Sequence, residues 1–251
     1  MYNIMHNSKS GMLSSQSNID TISNNITNVQ TVGYKKLEVS FLDLYKESLN
    51  KRSYPTNSKD AITGTGSRVS QVTRNYSQGA IKETKINTNL AIDGEGFFRV
   101  IRSDRSYAYT RNGEFNLDAA GKLVDDNGNV LDIQTINGNL KNLDLKNGNL
   151  SINKFGEVYL DKNKVGDIQL YTSKGDADFT SIGDSLFTAD QSQVETVQNK
   201  KILQGYVEMS NVNMQSEMVD LILAQRAFQY NSKGMQAVDE MWSIANNLQS
   251  R

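Results

Sequence analysis

The side chains that could do chemistry are few, and they fall into no catalytic pattern. His6 is the only histidine, so the chain offers neither a histidine pair for a metal nor a base for a nucleophilic triad. Cysteine is absent, which removes disulfides and thiolate chemistry and leaves the chain indifferent to redox state. Gly64-Thr65-Gly66 and Gly94-Glu95-Gly96 resemble fragments of phosphate loops. Each lacks the third glycine and the following lysine, and neither opens the helix of a βαβ unit. Asp125-Asp126-Asn127-Gly128-Asn129 has a calcium-like density of acids, but the alternating ligands and distal glutamate of an EF-hand loop are missing, so it reads as a hairpin turn. Carboxylates that face each other across a glycosidase cleft leave no sequence spacing to find. The acids here mostly sit beside Gly or Asn, where a turn role suffices. No catalytic constellation, cofactor site or metal site is expected.

The elements that would have to position any site show themselves by period. Over residues 213–249, Met214, Leu221, Phe228, Met235 and Trp242 recur every seventh residue, with Ala224, Val238 and Ala245 three further on. That is a coiled-coil seam. A second series, Val219, Leu223, Tyr230, Ala237, Met241, Ile244 and Leu248, falls roughly opposite the first at about 100° per residue. A helix apolar on two opposed faces must be packed on both, either in a thick bundle or between neighbouring subunits. Arg226 stands among these outer apolar residues. If buried there it needs a carboxylate such as Asp20 or Glu217, from within the chain or across a subunit contact.

At the other end Met5, Met12, Ile19 and Ile26 recur at seven, with Ile22 and Val29 completing the seam and serines at positions 8 and 15 thinning it. Asp20, Asn24 and Asn28 follow at i, i+4 and i+8, where their side chains can hydrogen-bond along the helix or to a neighbour. Turn-forming residues 28–33 should end this helix. The two seams can pair, Met5, Met12, Ile19, Ile22 and Ile26 against Leu221, Phe228, Met235 and Trp242, and pairing of the two ends implies an inserted middle.

That middle has a different period. Residues 41–49 are too short to separate a helix from an extended leg, and 50–67, holding Pro55, read as a long exposed loop. From residue 68 to about 206, short β-type runs alternate with Gly and Asn turns every 8–12 residues or so. The stretch 112–123 matches 147–158 without a gap, each copy a strand, an Asx-x-x-Gly turn and a strand. Two copies are too few for a solenoid and suggest two similar hairpins in one sheet. The expected fold is α+β: N- and C-terminal helices paired as a coiled coil, with an inserted mainly-β domain. Its segments are 1–33 (first helix), 34–67 (leg and loop), 68–206 (β domain) and 207–251 (closing helix).

Across 251 residues the net charge is −1, which points to neither nucleic acid nor an anionic membrane. No apolar run approaches the roughly 20 residues of a membrane span, so no membrane insertion is expected. The first nine residues lack a basic segment followed by an apolar core, and no secretory signal is visible.

Several stretches carry a resemblance. Ile22-Ser23-Asn24-Asn25-Ile26-Thr27-Asn28-Val29 followed by Gly33-Tyr34-Lys35 resembles the N-terminal signature of the bacterial flagellar basal-body rod and hook proteins. Ser210-Asn211-Val212-Asn213, Glu217-Met218-Val219 and Gln225-Arg226-Ala227-Phe228-Gln229-Tyr230-Asn231 resemble the closing helix of that family. Ser77-Gln78-Gly79, Ala91-Ile92-Asp93-Gly94-Glu95-Gly96, Tyr109-Thr110-Arg111-Asn112-Gly113 and Gln204-Gly205-Tyr206-Val207-Glu208 are of the same kind and stand in the same order. The likeness spans essentially the whole chain. Thr27 departs from it mildly, standing where a small residue such as Ala is usual. With one modest β domain and no large outer insertion, the chain is most like the distal-rod members, the proximal-rod relative being the alternative.

The resemblance implies a helical homopolymer whose paired terminal helices line a tube and whose β domains form an outer layer. It also implies export by the flagellar type III apparatus and contact with other rod and hook proteins and with surrounding ring proteins. On this reading one stripe of the closing helix packs within the subunit. The other, Val219, Leu223, Arg226, Tyr230, Met241, Ile244 and Leu248, together with Asp20, Asn24 and Asn28, is the candidate subunit interface. A secreted β-type adhesin would not need matched seams at both ends, and a cell-wall enzyme would need an acid pair that no spacing reveals.

Overall fold

The computed structural model describes residues 2–44, 46–48, 62–64, 66–135, 148–174, 179–183 and 185–249. The chain divides into two compact units, one of Met1–Thr27, Lys36–Asn75 and Val212–Arg251, the other of Asn28–Lys35 and Tyr76–Asn211. The segments therefore fall differently from the sequence expectation. Residues 28–35 and 207–211 pack with the β unit, and 68–75 with the helices.

In the helical unit, α1 spans Tyr2–Thr27 and α2 spans Met214–Gln249. Neither contains proline, which would remove a helix hydrogen bond and clash with the preceding turn. Asn213 caps α2, its Oδ1 accepting from the amides of Gln215 and Ser216 at 3.0 and 3.3 Å, and Glu217 in the first turn suits the positive end of the helix dipole. The two helices pack against each other, and α1 also packs against a β-ribbon. In that ribbon, Leu37–Asp43 pairs antiparallel with Ser67–Arg74, with a bulge between Ser40 and Phe41. Of the leg left undecided by its short period, residues 41–43 and 46–48 are therefore strand. Most of the expected loop, including Pro55, lies outside the described residues.

The β unit holds a nine-stranded sheet. Its main path runs Thr180–Gly183, Leu186–Thr188, Tyr107–Thr110, Phe97–Ile101, Val130–Leu131, Leu123–Val124, Asn116–Leu117, while Leu170–Ser173 pairs with both Phe97–Ile101 and Val194–Thr196. A four-stranded sheet orders Ile133–Thr135, Asn163–Ile168, Glu157–Leu160 and Leu150–Ile152. Alternation in the large sheet feeds two cores. Phe98, Val100, Ala108, Leu170 and Leu186 enter the main cluster, whereas their neighbours Phe97, Tyr109, Tyr171 and Phe187 join an aromatic cluster with Phe179. Successive side chains on a strand point to opposite faces, so strands buried on both sides read as continuous apolar runs such as Phe97-Phe98.

Both matched stretches form hairpins. Asn116–Leu117 and Leu123–Val124 close through Asp118 and Gly121, and Leu150–Ile152 and Glu157–Leu160 close through Asn153 and Gly156, the glycines at φ 70° and 81°. A positive φ at the fourth turn position is what glycine supplies without strain. The expectation of one shared sheet is corrected: the first hairpin is in the nine-stranded sheet and the second in the four-stranded one. A local match fixes a turn but not its long-range partners. Asp125 likewise acts as a turn residue, its carboxylate accepting from the amides of Asn127 and Asn129 at 3.0 and 2.8 Å.

Gly113 shows how tightly the β unit closes. A Cβ there would lie 1.6 Å from the carbonyl oxygen of Leu90, whose amide donates to the Gly113 carbonyl at 2.9 Å. Gly113→Ala must push two backbones apart and is expected to lower stability by about 1–3 kcal/mol or more. Urea unfolding checks this, and an unchanged midpoint would contradict the close approach.

Candidate functional site

Four of the stretches that carry the family resemblance, those holding Lys35, Gly79, Gly94 and Arg111, converge inside the β unit on one carboxylate. Glu208 ends the short strand Tyr206–Glu208. Its Oε1 meets Lys35 Nζ at 2.6 Å and the Gly79 amide at 2.9 Å, and its Oε2 meets Arg111 Nη1 at 2.9 Å. All three ionised side chains are at most 4% exposed. Lys35 Nζ also donates to the Ser77 carbonyl at 2.8 Å, and Arg111 Nη2 to the Gly94 carbonyl at 2.9 Å. Gln78 bridges the same loops, donating to the Ile92 carbonyl and accepting from the Gly94 amide. Burial pushes the Lys35 ammonium below the ordinary lysine pKa, while Glu208 opposes that shift.

The glycines of these motifs make the convergence possible. A Cβ on Gly79 would lie 2.0 Å from the Met209 carbonyl oxygen, and one on Gly33 would lie 2.4 Å from the Asn112 nitrogen. Gly33 is also at φ 69° and donates its amide to the Glu208 carbonyl at 2.8 Å.

A second buried polar group holds the helical unit. Asn25, 1% exposed, donates to the Leu37 carbonyl and accepts from the Leu37 amide, both at 2.9 Å, which ties α1 to the ribbon as a strand partner would. It also donates to Glu217 Oε2 at 3.0 Å, and Lys36 reaches Glu217 Oε1 at 2.7 Å. One carboxylate on α2 thus engages α1 and the start of the ribbon.

The remaining helix surface divides by exposure. Of the seam residues, Met5, Met12, Ile19, Ile26, Leu221, Phe228 and Met235 are half-buried and Ile22 is buried, while Trp242 is exposed. Glycines of both helices stand close to the facing helix. A Cβ on Gly11 would meet Asn231 at 2.7 Å, and one on Gly234 would meet Ser8 at 3.1 Å. Serine at position 8, which thins the apolar seam, lets the two backbones draw near. On the outer stripe Val219, Leu223, Tyr230, Met241, Ile244 and Leu248 are 49–74% exposed.

The polar residues of this surface differ in their partners. Arg226 is exposed and donates to Gln229 at 3.3 Å; neither carboxylate named for it is its partner, because Glu217 is held by Asn25 and Lys36 and Asp20 accepts from Gln16. Asn24 donates back to the Asp20 carbonyl, as an i, i+4 stripe allows. Asn28 lies past the end of α1 and accepts from Thr31 instead, so it does not extend that stripe. The residues that sequence reasoning missed are Asn25, Lys35, Lys36, Arg111, Glu208 and Glu217 in these buried roles. All but Lys36 had one signal, membership of the quoted motifs.

Comparison with known proteins agrees with this arrangement. Residues 5–35 match the family described as Flagella basal body rod protein, 91–160 the Flagellar hook protein FlgE/F/G D1 domain, and 203–248 the Flagellar basal body rod FlgEFG protein C-terminal. The flagellar basal-body rod protein FlgG of Borreliella burgdorferi is 32% identical over 95% of this chain and 96% of its own length. The chain belongs to the flagellar basal-body rod family. FlgG of Bacillus subtilis is 32% identical over 99% of both chains, whereas the hook protein FlgE of Helicobacter mustelae matches 49% of this chain and 28% of its own. Full-length agreement therefore lies with the distal-rod FlgG proteins, and the chain is a structural subunit of the flagellar basal body. No helix among the described residues is long and apolar enough to cross a membrane.

Two predictions follow from the buried carboxylates of this rod protein. Glu208→Ala leaves Lys35 and Arg111 buried without their shared anion and is expected to cost about 3–5 kcal/mol; urea unfolding showing a loss below about 1 kcal/mol would mean that water replaces the carboxylate. The second concerns pH. The hydrogen bond to Glu217 raises the pKa of Lys36 above the ordinary lysine value, with burial opposing. A lysine raised on folding contributes stability below its unfolded pKa, about 10.4, and loses it as pH climbs through the folded value. Lys36→Met should therefore be less stable than the parent at neutral pH, with the gap narrowing through the alkaline range. A gap that stays constant with pH would show that the charge is not what stabilises.

Proposed function

We propose that this rod subunit polymerises helically into the distal rod, a hollow shaft that transmits torque and conducts exported substrates. The observation that carries the reading is the exposed apolar stripe of α2, which lies opposite a face already packed within the subunit. Six large apolar side chains in water are a liability for a monomer and an asset for an interface. In this reading α1 and α2 pair as an antiparallel coiled coil, and Val219, Leu223, Tyr230, Met241, Ile244 and Leu248 meet neighbouring copies, with Asp20, Asn24 and Arg226 at the rim. The export apparatus, other rod and hook proteins and surrounding rings are the partners, and the subunit needs no metal or cofactor for its role. The full-length likeness to FlgG supports the distal rod over the proximal-rod alternative.

The test uses exposed positions whose change leaves the subunit intact. Leu223→Asp and Tyr230→Asp should each keep the helical circular dichroism of the parent yet fail to enter sedimentable polymers, and cells carrying them should not swim. Variants that polymerise as the parent does would remove the stripe from the interface.

A further inference from the structure

In the four-stranded sheet Leu150–Ile152 is an end strand, paired with Glu157–Leu160 on one side and with no strand on the other among the described residues. Its backbone groups alternate in direction. The Asn153 amide and the Asn149 carbonyl turn inward, to the Glu157 carbonyl at 2.9 Å and the Asp161 amide at 3.4 Å. The Leu150 carbonyl and the Ile152 amide turn outward, where an added strand would use them. Natural edges are blunted by charge, proline, a bulge or short length. Residues 147–153 hold no charged residue and no proline, and the pairing shows no register shift. Of these devices the strand itself has only its short length.

The side chain of Gln204 takes both outward groups. Its Nε2 donates to the Leu150 carbonyl at 3.1 Å, and its Oε1 accepts from the Ile152 amide at 2.9 Å. The second Nε2 proton goes to the Asn87 carbonyl at 2.7 Å. These partners fix the orientation of the amide, since the opposite one would set its oxygen against two carbonyls and its nitrogen against an N–H. The backbone of Gln204 is held separately, in the strand Ile202–Gln204 opposite Leu90. A side-chain amide carries the same N–H and C=O as a peptide, so it stands here where the next strand would. Asn25 does likewise in the helical unit, bonding both the carbonyl and the amide of Leu37 at 2.9 Å.

We propose that Gln204 is an edge plug: its amide closes the open side of Leu150–Ile152 and keeps a second copy of the chain from adding its own Leu150–Ile152 edge there. Two such edges are identical, so without the plug they pair as an isologous contact made by strand addition. The plug thereby keeps association of copies off this sheet. Leu150 and Ile152 are 7% and 6% exposed and belong to the main core, so backbone is what the open edge offers. The inference does not rest on the exposed stripe of α2, because every bond concerned lies within the β unit.

Residue-resolved hydrogen exchange of the full chain tests the plug, read over concentrations at which the parent does not sediment as polymer. Gln204→Met keeps the length and bulk of the side chain and removes its amide. In the dilute variant the Ile152 amide should exchange about five- to tenfold faster than in the parent, the worth of one ordinary hydrogen bond. As concentration rises that amide should become protected again, because a second copy's edge takes it, while the parent's rate stays flat. Ser151 is exposed, and adding Ser151→Lys puts a charge on the open edge. The double variant should keep the fast dilute rate and lose the recovery. Gln204→Asn, an amide one methylene too short to reach, replaces Gln204→Met if that variant lacks the circular dichroism of the parent. An unchanged Ile152 rate overturns the plug, and so does fast exchange at every concentration, which would mean that the open edge recruits no copy. Recovery that survives Ser151→Lys overturns it too, since general destabilisation with non-specific association would give that result. Recovery in the parent itself does the same.

Discussion

The β unit depends on a carboxylate that has been taken out of water. Glu208 faces Lys35, Arg111 and the Gly79 amide at hydrogen-bond distance. A buried charge is costly unless it is paired and its remaining lone pairs are satisfied, and here two cations and a backbone donor share one anion. Such a group is a weak source of net stability, because desolvation consumes much of the attraction. What it does supply is position. Residues 33–35, 77–79 and 208–211, far apart in sequence, are all tied to this group or to its neighbours. Asn211, for example, donates to both oxygens of Ser77 at 3.1 Å.

The helical unit uses the same device at smaller scale. Asn25 presents an amide to Leu37 as a strand edge would, and Glu217 gathers Asn25 and Lys36. A polar contact inside an otherwise small-residue helix crossing selects one register, since a shift by a turn would strand Glu217 without partners.

The buried motif residues of this rod protein are therefore architectural. The signature asparagine, lysine, arginine and glutamate are at most 4% exposed. The outer face of α2 is mostly Val, Leu, Tyr, Met and Ile at helical spacing, with Arg226 among them. A subunit that works by packing needs shape and apolar area rather than reactive groups.

Much of this was legible in the sequence because it is periodic or local. Heptad spacing located both helices and the two stripes of α2, and Asx-x-x-Gly located two hairpins with their left-handed glycines. Local chemistry could not say that those hairpins join different sheets, or that residues 68–75 pair with the leg, because strand partners are chosen by burial across long separations. It could not find the Glu208 group either, since Lys35, Gly79, Arg111 and Glu208 have no common spacing. Arg226 shows the converse: an arginine among apolar letters invites a buried ion pair, yet within the subunit it is exposed and donates to Gln229. The sequence by itself determined which residues repeat and which turn. Only the tertiary structure decided which charges meet, because closing the chain in three dimensions is what takes them out of water together.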